Sequence, residues 1–245
     1  MRGRASAPSR GAVSIPVGLL LLGCAACAVG SDPIAGAGGE DSDGDAASVG
    51  GVGGNASVGA TNGSGGGSAC VYPSGETGVL EGMLVDGSLS WQGFPAGASS
   101  PTTVAATDFF DCDGSRGVDA ILVVQSATWC GPCQAEAAKL EGKMGGAWAG
   151  LGIRVLTLMV EDANESPATV DTASAWKNAF GLTSIAVAAD PAFSFDYFNY
   201  EMHISGGAFP TQLVVDPRTM KIVVREEGDL PLDAQLEQLA EKNKP

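Results

Sequence analysis

The stretch Cys130-Gly131-Pro132-Cys133 constrains this chain more than any other. An apolar run, Ala120-Ile121-Leu122-Val123-Val124, leads into it and reads as a buried strand. After it, Ala137, Leu140, Met144 and Trp148 recur at spacings of three and four, which predicts a helix over Gln134 to Trp148. Gly145-Gly146 weakens its last turn. Two cysteines separated by two residues, at the junction of a buried strand and a helix, make a redox site. A helix N-terminus has unpaired N–H groups and carries about half a positive charge, which favours a thiolate over a thiol. Pro132 suits the first helical turn, where its missing N–H costs nothing. Cys130, at the exposed end of the strand, is expected to attack, and Cys133 to be the more buried resolving partner.

The N-terminal third cannot bury a core. Arg2, Arg4 and Arg10 precede a mostly apolar stretch from Ala12 to Leu22, which reads as a secretory signal over residues 1–23, too short for a comfortable membrane span. Leu21-Leu22-Gly23-Cys24 resembles the bacterial lipobox, in which the signal is cut before the cysteine and the sulfur is lipidated. Leu22 is bulkier than the small residue usual there, so plain secretion is the alternative. Residues 24–69 are dominated by glycine, serine, alanine and aspartate with no three-residue period, which favours a flexible tether of roughly 35–40 Å root-mean-square span. The folded domain is then expected over residues 70–245.

The formal net charge of −15 argues against nucleic acid or anionic headgroups as partners of the protein's field, and removing the three signal arginines makes the chain more acidic still. Membrane attachment is therefore expected through lipid on Cys24. Of six cysteines, Cys24 and Cys27 fall at the signal boundary with no strand before them. An exported protein tolerates disulfides, and Cys70 and Cys112 are the remaining pair. A structural disulfide between them is expected, with two free thiols as the alternative.

Along the domain, Val79 to Val85 and Thr102 to Ala106 read as short extended segments, with Trp91-Gln92-Gly93-Phe94-Pro95 laid on the surface between them. Thr107 or Asp108 could cap a helical turn through Phe109-Phe110. Ile153 to Val160 reads as a buried strand, Pro167 to Phe180 as a helix stopped by Gly181, and Ser184 to Ala189 as a short strand. The aromatic cluster Phe193, Phe195, Tyr197, Phe198 and Tyr200 is expected in the core or at its rim rather than facing substrate. Gln212 to Val215 and Lys221 to Val224 form a hairpin about Pro217, and Leu232 to Lys242 an amphipathic closing helix.

Trp129-Cys130-Gly131-Pro132-Cys133 after an apolar strand resembles thioredoxin, and with the export signal it is more similar to the TlpA-like, membrane-tethered thiol–disulfide oxidoreductases. Phe209-Pro210-Thr211, before the apolar Leu213-Val214-Val215, resembles that superfamily's cis-proline loop. The resemblance covers residues 80 to 243. It implies an α/β, thioredoxin-like fold: a central mixed β-sheet flanked by helices, with an N-terminal β-hairpin extension. It implies thiol–disulfide exchange without metal or organic cofactor. Trp129, Phe209, Pro210 and Thr211 would contact substrate, and Glu136 would tune the cysteines or shuttle a proton. Glu136 could equally be a solvated helix residue. The resemblance further implies exported protein thiols and disulfides as substrates, a membrane thiol donor as partner, and a monomer facing the periplasm.

This sequence departs from the family at three places. Val124 stands where thioredoxin has a buried aspartate that takes the resolving cysteine's proton, which leaves Glu136 or water for that task. Gln125 and Ser126 replace an aromatic pair, and Ala138 replaces a proline common in TlpA-like helices. His203, the only histidine, is expected to be structural. The two-residue cysteine spacing argues against copper delivery, zinc lacks a ligand set, and no phosphate-binding glycine motif stands between strand and helix. Within redox chemistry the Gly131-Pro132 dipeptide favours reduction. A disulfide oxidase, a thiol peroxidase and a non-catalytic binding or metallochaperone module are the alternatives.

Overall fold

The computed structural model describes residues 70–196, 208–228 and 230–245. The stretches expected to be signal and tether, with Cys24 and Cys27, and Tyr197, Phe198, Tyr200 and His203 lie outside them. Seven strands form one mixed sheet: β1 (Ser90–Phe94), β2 (Thr102–Ala105), β3 (Ala120–Ala127), β4 (Ile153–Glu161), β5 (Ala186–Ala189), β6 (Thr211–Asp216) and β7 (Lys221–Glu227). Their spatial order is β2-β1-β5-β4-β3-β6-β7. Among the described residues, a 3-10 turn (Ala106–Phe109) and three α-helices accompany them: α1 (Gly131–Gly145), α2 (Val170–Ala179) and α3 (Asp233–Asn243). The central strands β3, β4 and β5 are parallel, β6 runs antiparallel to β3, and the β1–β2 hairpin extends the far edge antiparallel to β5. This is the thioredoxin-like α/β fold with an N-terminal hairpin.

Every residue of β3 and of β6 is buried, which is why both read as near-continuous apolar runs. Alternation along β3 sends Leu122 and Val124 to one face, with Cys133, Ala137 and Leu140 of α1 and Leu236, Leu239 and Ala240 of α3. It sends Ile121 and Val123 to the other, where Val79, Val85, Phe109, Val118 and Phe195 close the second core.

Several boundaries differ from the sequence reading. Helix α1 begins at Gly131, because Cys130 is its N-cap and Pro132 fits the first turn. It ends at Gly145, and the buried Trp148 is reached through a turn closed by its N–H to the Lys143 carbonyl at 2.9 Å. The segment Val79 to Val85 is no strand. It turns at Gly82, whose φ of +86° suits glycine, and makes only the single bridges Thr77–Leu84 and Leu84–Lys221. The Trp91 segment, expected on the surface, is instead strand β1, with Trp91 and Phe94 buried. Gly93 permits this placement: a Cβ there would lie 2.4 Å from the Ala188 Cα and the Val187 carbonyl of β5. The hairpin is therefore made by residues 90–94 with 102–105.

Cys70 and Cys112 are bonded, with Cα atoms 5.7 Å apart. Beside Cys112, the Arg218 guanidinium donates to the Asp111 and Val118 carbonyls at 2.6 and 2.7 Å, and pairs with Asp119 at 2.6 Å. This joins the start of the domain to the N-terminal end of β3. Among the described residues, no helix is long and apolar enough to cross a membrane.

Candidate active site

Strand β3 ends at Ala127, and a tight turn then delivers Cys130 to the N-terminus of α1. The Cys130 N–H donates to the Ala127 carbonyl at 3.1 Å. Thr128 is held from the neighbouring strand, its N–H and hydroxyl both donating to the Glu161 carbonyl, at 3.0 and 3.2 Å. The Gln134 amide donates to the Thr128 carbonyl at 2.8 Å and closes the turn from the helix side. Cys130 and Cys133 form a disulfide with Cα atoms 5.3 Å apart. The Cys133 N–H points at the Cys130 sulfur at 3.2 Å, so a free N–H of the first helical turn already faces the atom that would carry negative charge. Cys133 is the more covered partner, as expected. Cys130 is also only 4% exposed, which corrects its expected exposure at the strand end. The turn and the facing loop cover it.

Trp129 stands on the rim, 46% exposed, with its indole N–H donating to a Glu161 carboxylate oxygen at 2.8 Å. Across from it lies Phe209-Pro210-Thr211. The Phe209–Pro210 peptide bond is cis, and the Phe209 ring meets Trp129 edge-on at a centroid distance of 6.1 Å. Antiparallel pairing of β6 with β3, Gln125 opposite Thr211, sets this loop beside the cysteine turn. The Pro210 carbonyl accepts from the Gly228 N–H at 2.8 Å, and the Thr211 hydroxyl donates to the Ala208 carbonyl at 3.1 Å.

Glu136 is buried at 8% exposure, so it is not a solvated helix residue. It lines a cavity of about 380 Å³ between α1, β6 and α3, together with Leu122, Leu140, Gln212, Leu232 and Leu236. Val124 is fully buried on the same face of the sheet, and its register partner is Gln212. The Gln212 amide donates to the Gly228 and Leu230 carbonyls at 2.9 and 3.1 Å, which commits it to the β7–α3 connection.

A second polar group sits under the opposite face, and the sequence did not reveal it. Asp190, buried at the end of β5, accepts from the Gln125 amide at 2.9 Å, from the Ser194 N–H at 2.8 Å and from the Ser194 hydroxyl at 2.7 Å. The Trp91 indole N–H reaches the same Ser194 hydroxyl at 3.2 Å. Burial pushes the Asp190 carboxyl above the usual aspartate range, against the opposing pull of the bonds from Ser194, Gln125 and Trp91. The turn that it holds carries Phe193 at φ +54°, a left-handed conformation that costs a bulky residue about 1–2 kcal/mol. Asp190-Pro191 read only as a strand end, because Ser194 is local but Gln125 of β3 and Trp91 of β1, which complete the network, are far away in sequence. Of the three remaining predicted site residues, Cys70 and Cys112 sit at the other end of β3, and Cys24 is outside the described residues.

A thioredoxin-like sheet, a C-x-x-C pair at the N-terminus of the helix after its central strand and a facing cis-proline loop define the class to which this chain is structurally similar. Among solved structures, it resembles a thiol:disulfide interchange protein from Bacteroides sp. at 17% identity and a TM-score of 0.44, covering 69% of this chain and 91% of that one. It also resembles a thioredoxin-family thiol:disulfide interchange protein from Chlorobium tepidum, at 16% identity, TM-score 0.42 and coverage of 70% and 99%. A 2-Cys peroxiredoxin from Plasmodium vivax matches at 15% identity, TM-score 0.46 and coverage of 66% and 79%. No family model and no curated protein matches the chain. Similarity at this level carries no activity across to this chain.

Proposed function

We propose that this domain is a thiol–disulfide oxidoreductase that reduces disulfides of exported proteins. The observation that carries this reading is the Cys130–Cys133 pair, joined at the N-terminus of α1 with the Cys133 N–H aimed at the Cys130 sulfur. In the reduced protein the Cys130 thiolate attacks one sulfur of a substrate disulfide. The other substrate sulfur leaves as a thiolate and takes up a proton. Cys133 then loses its proton and attacks the Cys130 sulfur, expelling the second substrate thiolate, which is protonated in turn. Two electrons and two protons pass to the substrate, and the pair is left oxidised. A dithiol donor must restore it, and we assign that role to a membrane thiol protein.

The Phe209-Pro210-Thr211 loop and Trp129 hold the substrate chain on either side of the attacked sulfur. Glu136 serves as the proton acceptor for Cys133, at the depth where Val124 offers none. Lipid on Cys24 and the tether of residues 24–69 keep the domain at a membrane surface facing the periplasm.

The test is the equilibrium of the Cys130–Cys133 couple in dithiothreitol and glutathione buffers, run beside insulin disulfide reduction. A potential near −270 mV with turnover of insulin supports a reductase. A value near −120 mV makes the protein an oxidase. A pair that does not cycle removes the enzyme reading.

A further inference from the structure

Trp129 and Phe209 are two rings of a longer strip. Phe193 adds a third, its centroid 6.3 Å from that of Phe209, so that Trp129, Phe209 and Phe193 run consecutively from the rim of the redox pair toward the β5 end of the sheet. Phe193 and Phe209 are both half-buried. What places Phe193 there is unusual in its construction. Its backbone lies in the left-handed region that glycine or asparagine occupies at little cost, yet the residue is phenylalanine. The turn is held from both sides. The Phe193 N–H donates to the Asp190 carbonyl at 3.1 Å, the Asp196 N–H donates to the Phe193 carbonyl at 2.9 Å, and the Asp190 carboxylate takes both donors of Ser194. Gln125 then ties that carboxylate to β3, the strand that ends at the cysteines.

We infer that Phe193 is a specificity-determining residue, positioned by Asp190, and that the strip selects disulfides whose cysteine is flanked by a large apolar or aromatic side chain. This rests on the oxidoreductase reading and names the substrate class of that same site. The occupant follows from the strip's continuity with the redox pair: Trp129 precedes Cys130 in the chain, and Phe209 and then Phe193 continue from its ring, so the strip meets the residues flanking an attacked sulfur. Aromatic contacts of this kind are geometrically specific and discriminate against a small polar neighbour. The replacement of the family's aromatic pair by Gln125 and Ser126 fits the same arrangement, because Gln125 serves Asp190 instead of substrate.

The experiment uses two peptides, identical except for phenylalanine or serine beside their one cysteine, each as a mixed disulfide with thionitrobenzoate. Release of thionitrobenzoate by the reduced protein gives kcat/KM for each, and the ratio within one variant cancels any change in its overall activity. The wild type is expected to prefer the phenylalanine peptide on the order of tenfold. Phe193→Ala and Phe193→Gly, the latter relieved of backbone strain, are expected to bring the ratio to within about twofold of unity, and Phe193→Tyr to retain it. Asp190→Asn is expected to lower the ratio through KM alone. A wild-type ratio near unity, or a preference that survives both Phe193→Ala and Phe193→Gly, overturns the inference. A ratio untouched by Asp190→Asn removes the positioning role. Bis(2-hydroxyethyl) disulfide separates the two layers: if it and both peptides go unreduced, the oxidoreductase reading falls and takes the inference with it. If all three are reduced equally, only the inference falls.

Discussion

In the proposed exchange reaction, Glu136 and Val124 bear on how the second half works. A buried valine can neither accept a proton nor perturb a thiol, whereas a buried carboxylate one helical turn beyond Cys133 can do both. A helix N-terminus favours the thiolate form of a nearby cysteine, and a carboxylate's negative charge disfavours it, so the two effects oppose each other. Glu136→Gln removes the second effect and leaves the first. The variant is expected to titrate its thiols at lower pH than the wild type, followed through thiolate absorbance. Its release of the mixed disulfide should be slower by roughly a hundredfold or more, in the range of a lost general base. A titration curve that does not move would separate Glu136 from the cysteines altogether. The sequence pointed to this glutamate only by resemblance. Its burial was not, because Gln212, Leu232 and Leu236, which close over it, come from β6 and the end of the chain.

Among the elements, α1 has two attachments that matter at different ends. Its N-terminus is fixed by the cysteine turn, and its C-terminal half by Glu141. That carboxylate accepts from the Thr183 N–H and hydroxyl and from the Ser184 N–H and hydroxyl, at 2.5 to 3.0 Å. Lys143 adds a bridge to Asp233 of α3 at 2.7 Å. Partial burial of Glu141 works against its ionisation, but the bonds from Thr183 and Ser184 outweigh it and hold its pKa below the usual glutamate value. A carboxyl with a lowered folded-state pKa stabilises fully above its unfolded value of 4.5 and loses that contribution as the pH falls through the folded value. Glu141→Ala is expected to cost about 2 kcal/mol at neutral pH in urea unfolding, and the gap from the wild type should narrow in acid. A gap that is constant or grows as the pH falls would contradict this account of the staple.

The elements themselves differ in how far the sequence disclosed them. Strands β3, β4 and β6 are buried on both faces, so their apolar runs are unbroken and readable. Strand β1 hid because Gly93 and Pro95 look like turn signals. Only its closeness to Ala188 explains why position 93 must lack a side chain. The Asp190 turn hid for a related reason: Ser194 is local, but the buried Gln125 and Trp91 that complete its network lie 65 and 103 residues from their partners in sequence.

The whole domain has two poles. Strand β3 runs from Ala120, beside Asp119 and the Arg218 cluster, to Ala127, three residues before Cys130, and its eight residues span roughly 26 Å. One disulfide sits at each end. The Cys70–Cys112 bond closes a segment of 42 residues in sequence separation at one pole, and the Cys130–Cys133 bond sits at the other. Cys70, the first described residue, therefore lies at the pole opposite the cysteine pair. The two bonds also differ in what they constrain. Loss of the first releases a long loop of the unfolded chain, worth roughly 4 kcal/mol on the chain-entropy model, whereas the second closes only three residues. The double variant Cys70→Ser/Cys112→Ser is accordingly expected to unfold at markedly lower denaturant, with midpoint and slope together giving a loss of up to about 4 kcal/mol. Its Cys130–Cys133 potential should match the wild type within about 10 mV, since about 30 mV already corresponds to 1.4 kcal/mol of coupling between the two bonds. A potential that shifts by more than that 30 mV would mean that β3 transmits the state of one pole to the other. The distal disulfide would then belong to the redox mechanism and could no longer be treated as scaffold alone.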